Sequence, residues 1–192
     1  IINQAECLRI CGKEGHLDLY NLHKKVQSGD VTYIESQAAA KYFRLLYGDD
    51  FRRYNKRGYN NTDIINSALN YGYAILRGAI ARTLVVYGFE PSLGIFHHNE
   101  TNRFNLADDL IEPFRPVVDL FTFIHIKGDK FTSQHKQNLY GILNYEIMSA
   151  NEKHSVIYSI ERMVKSLTAT YQNNCGQLNL PVICPLKPHT FE

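Results

Sequence analysis

Apolar positions recur at helical spacing through most of this chain. Residues 2–11 and 16–27 read as short helices, the second ending near Ser28-Gly29-Asp30. Thr32 is placed to cap a helix that runs to Leu46 and stops at Gly48. A polar, basic loop follows from Asp49 to Asn61, and Thr62 or Asp63 opens the longest helix. Its apolar residues Ile65, Leu69, Ile75, Leu76, Ile80 and Leu84 keep the helical period until Gly88. A helix apolar over so much of its surface is expected to be central and largely buried. Residues 89–104 form a loop with a polar tip, and Asn105 is placed to cap the next helix. Pro113 and Pro116 kink that helix or restart it, because proline fits a first turn and not an interior.

Residues 117–126 continue as an apolar helix, broken by Gly128-Asp129-Lys130, with further helices expected at 132–148 and 151–171. Strand signals are almost absent, so the expected fold is an all-α multi-helix bundle. It divides into a helical domain over 1–172 and an extended, proline-containing tail over 173–192.

With 192 residues, 44% of them hydrophobic, the chain can build a sizeable core. Charged residues make up 21% and the mean hydropathy is −0.30, a soluble composition. No apolar run approaches the roughly 18 residues of a membrane span, and no signal peptide is visible. The cysteines Cys7, Cys11, Cys175 and Cys184 match no common zinc spacing, which points to free thiols in a reducing cytoplasm. A net charge of +2 does not by itself imply nucleic acid, but its distribution is uneven. Arg52, Arg53, Lys56 and Arg57 fall within six residues, with Lys41 and Arg44 upstream. Taken alone, such a run is a solvated loop.

The chemistry gathers around His97 and the helix from Asn105. Asp109 and Glu112 stand three apart in that helix, so their carboxylates share a face. A histidine and carboxylates meeting in one place form the ligand set of a catalytic divalent metal. Each residue also has an ordinary reading. Asp109 and Glu112 can cap and pair with Arg115, Asp108 can complement the helix dipole, and His97 can be a hydrogen-bonded packing residue. Glu35 alone is a first-turn acid, followed by the small residues Ala38, Ala39 and Ala40.

Three blocks in this order carry a resemblance. They are Thr32–Phe43 (TYIESQAAAKYF), Ile65–Arg77 (INSALNYGYAILR), and Ser92–His97 followed by Phe104–Pro116 (FNLADDLIEPFRP). Together they resemble the CRISPR-associated integrase that inserts new spacers into a CRISPR array, over roughly residues 1–170. The Asn-rich stretch 99–105 looks most like the branch that accompanies a single large RNA-guided nuclease. The resemblance implies that Glu35, His97 and Glu112 hold a Mg2+ or Mn2+ ion. It implies that Asp109 is a catalytic acid beside that ion. The reaction it implies is attack by a DNA 3′-hydroxyl on a phosphodiester of the repeat. It also implies a homodimer, and a small companion protein with a ferredoxin-like fold. The family's N-terminal β-rich domain, which helps build the dimer, is expected to precede Ile1, leaving the helical catalytic domain.

DNA entering such a site would pass Arg52, Arg53, Lys56 and Arg57, which follow the helix begun by Glu35. Asn66, Asn70 and Tyr71 are candidates for the site lining, and Arg77 and Arg82 for partners of a site carboxylate. The tail from Leu180 to His189 either docks on a partner or folds on its own domain. Two rival readings stand: a metal-dependent repair nuclease with the same ligands, and a non-catalytic helical binding module.

Overall fold

The computed structural model describes residues 1–27, 29–54, 63–173 and 177–190. Among these residues eight helices dominate: α1 (Ile2–Ile10), α2 (His16–His23), α3 (Ile34–Tyr47), α4 (Ile64–Val86), α5 (Asn105–Ile111), α6 (Arg115–His125), α7 (Ser133–Tyr140) and α8 (Val156–Asn173). The long helix is central, as its pattern predicts. α4 packs against α5, α6, α7 and α8, and buries Leu69, Leu76, Ile80 and Leu84 completely. Its approach to α6 is close, because a Cβ on Gly72 would lie 2.4 Å from Val118 Cγ1. α1, α2 and α3 form a second layer, joined to the rest through α1 and α6.

Helix ends follow local chemistry. Asp63 opens α4 by accepting the N–H groups of Ile65 (2.8 Å) and Asn66 (3.3 Å). Gly48 closes α3 at φ 107°. Two expected caps are corrected. The start of α3 is held by Asp30, not Thr32, since the Asp30 carboxylate accepts from Ile34 N (2.8 Å) and Glu35 N (2.9 Å). Asn105 is the first helical residue of α5, and its side chain ties down the preceding loop instead.

The expected helices at 132–148 and 151–171 are also corrected. After α7 and a 3-10 turn (Gly141–Asn144) the chain forms a hairpin of β1 (Glu146–Ser149) and β2 (Glu152–Ser155). The two residues between, Ala150 and Asn151, sit at φ 51° and 64°, which gives the tight turn that matches strand twist. Among the described residues the fold is therefore mostly helical, as the expected helical domain requires, with one two-stranded sheet added to it. The tail continues that sheet. Met148 and Val182 exchange backbone hydrogen bonds of 2.9 and 2.8 Å, and Glu146 N donates to Lys187 O at 2.8 Å. Pro181 and Ile183 are buried, so residues 177–190 lie on their own domain.

Candidate active site

Asp109, near the end of α5, organises the loop that carries His97. Its carboxylate accepts the backbone N–H groups of Ile95 (2.6 Å), Phe96 (3.0 Å) and His97 (3.1 Å). It also takes the His97 ring through Nδ1 at 2.6 Å. With Nδ1 donating, the lone pair of the imidazole is left on Nε2, free for a ligand. Burial alone would raise the Asp109 pKa. The N–H of Phe96, the His97 ring and the N–H groups of Ile95 and His97 outweigh it and hold the carboxyl below its ordinary value. Gly94 makes this wrap possible, because a Cβ there would meet His97 O at 2.2 Å and Asp109 Oδ2 at 3.0 Å. Asn105 fixes the two ends of the loop, donating to Ser92 O (3.0 Å) and Asn99 O (2.9 Å).

Glu112 follows the last turn of α5, where Pro113 stops the helix and Arg115 restarts it as α6. Glu35 projects from the first turn of α3. Both are exposed, and with Asp109 they line one cavity of ≈ 470 Å3, walled also by Asn3, Pro181 and Val182. Glu112 is meanwhile drawn to Arg115, whose Nε lies 2.8 Å from Oε1. Among the described residues no three acidic, histidine or cysteine groups close into a metal-binding set. The donor chemistry still fits a divalent cation. Two exposed carboxylates line this cavity, the imidazole is bonded to Asp109, which lines it too, and a cation would replace Arg115 as the counter-charge of Glu112.

A second cavity of ≈ 650 Å3 adjoins the first, with Gln4, Ala39, Glu112 and Arg115 lining both. Its walls carry Arg44, Arg52 and Arg53, and its floor Tyr73 and Asp119. Arg53 is pinned by the amide oxygens of Asn66 (2.9 Å) and Asn70 (2.7 Å). The guanidinium groups of Arg53 and Arg115 lie 5.2 and 4.8 Å from the Tyr73 ring centre. Asp119 is 1% exposed and accepts the hydroxyls of Tyr42 (2.9 Å) and Tyr73. Burial pushes its pKa up to about 6, against the pull of Tyr73, Tyr42, Arg115 and Arg53. One buried acid under two arginines leaves this floor attractive to anions.

The family model for CRISPR associated protein Cas1 matches residues 16–156. The chain belongs to the Cas1 family. It is 44% identical over 199 residues to the CRISPR-associated endonuclease Cas1 of Neisseria meningitidis serogroup C (strain 8013), covering 100% of this chain and 63% of that relative. It is 39% identical over 94 residues to a CRISPR-associated endonuclease Cas1 of Francisella tularensis subsp. novicida (strain U112), covering 47% of this chain and 30% of that relative. The chain thus spans less than two thirds of the length of these Cas1 relatives. A casposase structure, bound to integration product, shares the fold with a TM-score of 0.75 at 21% identity, over 93% of this chain and 60% of that one.

Within the Cas1 fold, the structure brings Glu35, Asp109 and Glu112 to one cavity, with His97 joined to it through Asp109. Arg52 and Arg53 line the neighbouring cavity, while Lys56 and Arg57 lie outside the described residues. Asn66 and Asn70 serve the site indirectly by holding Arg53, and Tyr71 packs edge-on against Phe131 instead. Arg77 is not buried on a site carboxylate. Its side chain is 41% exposed, 3.9 Å from Asp108, and stacks over Phe104. Sequence reasoning missed Asp119, Tyr42 and Tyr73, whose signal was a lone acid at an apolar helix position beside two tyrosine-bearing helices. Among the described residues no helix is long and apolar enough to cross a membrane.

Proposed function

We propose that this Cas1-family chain is the catalytic part of a metal-dependent DNA endonuclease and integrase, which inserts spacer DNA into a CRISPR array. The observation that carries the reading is that Glu35, Asp109 and Glu112 line one cavity, with His97 bonded to Asp109 and an arginine-lined cavity adjoining. Glu35, Glu112 and His97 Nε2 would hold Mg2+ or Mn2+. When bound, the ion supplies activation of a 3′-hydroxyl and neutralisation of charge on the phosphodiester. Asp109 keeps the imidazole turned so that Nε2 faces outward. Arg52, Arg53 and Arg115 bind the DNA backbone, and Asn66 and Asn70 keep Arg53 rigid, so its positioning is settled before the phosphate arrives. Lys56 and Arg57 belong to the same basic run of the sequence and complete the DNA-binding set of this reading.

The attacking 3′-hydroxyl loses its proton as the new phosphodiester forms, and the repeat strand leaves with its own 3′-hydroxyl. One phosphodiester replaces another, so no covalent enzyme intermediate is needed. The same site with water as nucleophile gives hydrolysis, which is how a repair nuclease would use it. A homodimer and a small ferredoxin-like companion belong to this reading as partners, DNA as substrate, and the cytoplasm as the setting.

The test is strand joining of a 3′-hydroxyl oligonucleotide into a plasmid carrying the repeat, by the full-length protein with Mn2+. Glu35→Ala, His97→Ala and Glu112→Ala should each reduce joining to background while leaving helicity intact. Normal joining by any of them would overturn that ligand assignment, and cleavage without joining would favour the nuclease. The absence of a closed ligand set among the described residues is what favours the binding-module alternative. Metal-dependent activity of any kind would remove it.

A further inference from the structure

The side chain of Asn3, on α1, is nearly buried at 7% exposure, and its amide spans two distant segments. Nδ2 donates to Pro113 O at 2.7 Å and to Pro181 O at 2.9 Å, while Oδ1 accepts from Ile183 N at 3.4 Å. Pro113 is the residue after Glu112. It has no N–H of its own with which to fix the turn where α5 ends. Pro181 belongs to the tail segment that Val182 pairs to β1. A continuous chain of bonds therefore runs from the sheet through the tail and Asn3 to the carbonyl of Pro113, one residue past Glu112. Asn3, Glu112, Pro113, Pro181 and Val182 all line the same cavity.

We propose that Asn3 is a positioning residue for Glu112, and that the docked tail is the anchor it works from. A buried amide that spends both N–H groups on two carbonyls fixes their separation, because releasing either leaves a buried polar group unpaired. The tail then acts as a structural wall of the active site. This inference rests on reading Glu112 as a metal ligand.

Titration of Mn2+ into this chain, followed by the loss of the free-ion EPR signal, tests it. Asn3→Ala should weaken binding about tenfold, the lower end of what loss of an outer-shell partner costs. In a Glu112→Ala background the same change should have no further effect. Binding by Asn3→Ala within twofold of the parent, or an equal loss in both backgrounds, would overturn the proposal. Should Asn3→Ala fail to fold, Val182→Pro removes the Val182 N–H bond to Met148 O and leaves Asn3 in place. It should produce the same Glu112-dependent loss, and unchanged affinity would count against the proposal. If the parent chain binds no Mn2+, the metal reading fails. The tether is then judged by hydrogen exchange at the Phe114 N–H, which bonds Ile111 O at 2.8 Å. Exchange about tenfold faster in Asn3→Ala would support the tether, and an unchanged rate would sink it.

Discussion

Asp109 and Asp119 stand on consecutive helices, and both lie at the candidate site, yet their surroundings act on them in opposite directions. Asp109 accepts three backbone N–H groups and an imidazole, and its pKa falls. Asp119 accepts two phenols in a fully buried setting, and its pKa rises to about 6. The number and kind of donors decide the outcome. Aligned backbone N–H groups replace the hydration of a charge, whereas two hydroxyls do not match what burial takes away. One acid is thus a permanent anion that orders a loop. The other is a counter-ion held near its titration point under Arg53 and Arg115.

The largest expected effect is on stability against pH. Between its unfolded value near 3.8 and about 6, native Asp119 binds more protons than the unfolded chain, so stability from this group falls as pH rises through that window. The whole change amounts to about 3 kcal/mol. Denaturant unfolding at pH 4, 5, 6 and 7 should show that fall in the parent chain and a much flatter profile in Asp119→Asn. Parallel profiles would break the contrast. Asp109 has the opposite sign: its stabilisation is present above the unfolded value and is lost as pH drops through its depressed native one.

Next in size is Asp109→Ala, which releases the His97 loop. Joining activity of the full-length protein should fall about a hundredfold, the upper end for an outer-shell partner. An activity within threefold of the parent would show that the loop holds itself. Gly94→Ala forces a Cβ against His97 O and should cost about 2 kcal/mol, by the overpacking that a closed backbone cannot relieve. Thermal unfolding reads that cost, and an unchanged midpoint would mean the loop opens freely. The smallest effect belongs to Tyr42→Phe, which deletes one of the two hydroxyls on Asp119. It should cost about 1 kcal/mol and push the Asp119 pKa further up, seen by NMR titration of the carboxyl carbon. A downward shift would contradict the role given to that hydroxyl.

Much of this arrangement was legible in the sequence. The three-residue spacing of Asp109 and Glu112 puts both on one cavity, and the period of α4 marks it as the central helix. Asp63 and Gly48 act as the helix signals their types suggest. What was not legible depends on partners far along the chain or on backbone angles. The Ala150-Asn151 turn lacks the glycine that usually announces positive φ, and four-residue strands are too short to show alternation. Thr32 is an accepted cap type at the expected place, but Asp30, further back in the chain, reaches two N–H groups where a threonine hydroxyl reaches one. Asp119 meets Tyr42 across 77 positions and Tyr73 across 46, and no local pattern encodes such a meeting.

The bond from Asn3 to Pro181 spans 178 positions. During synthesis at roughly 5–20 residues per second, α1, α3, α5 and the whole His97 loop emerge well before the tail exists. Contacts between such distant segments are also the slow ones to form. A growing chain can therefore hold its helices while the cavity of Glu35 and Glu112 still lacks a wall. Only a ribosome that has passed residue 183 releases a chain able to complete it.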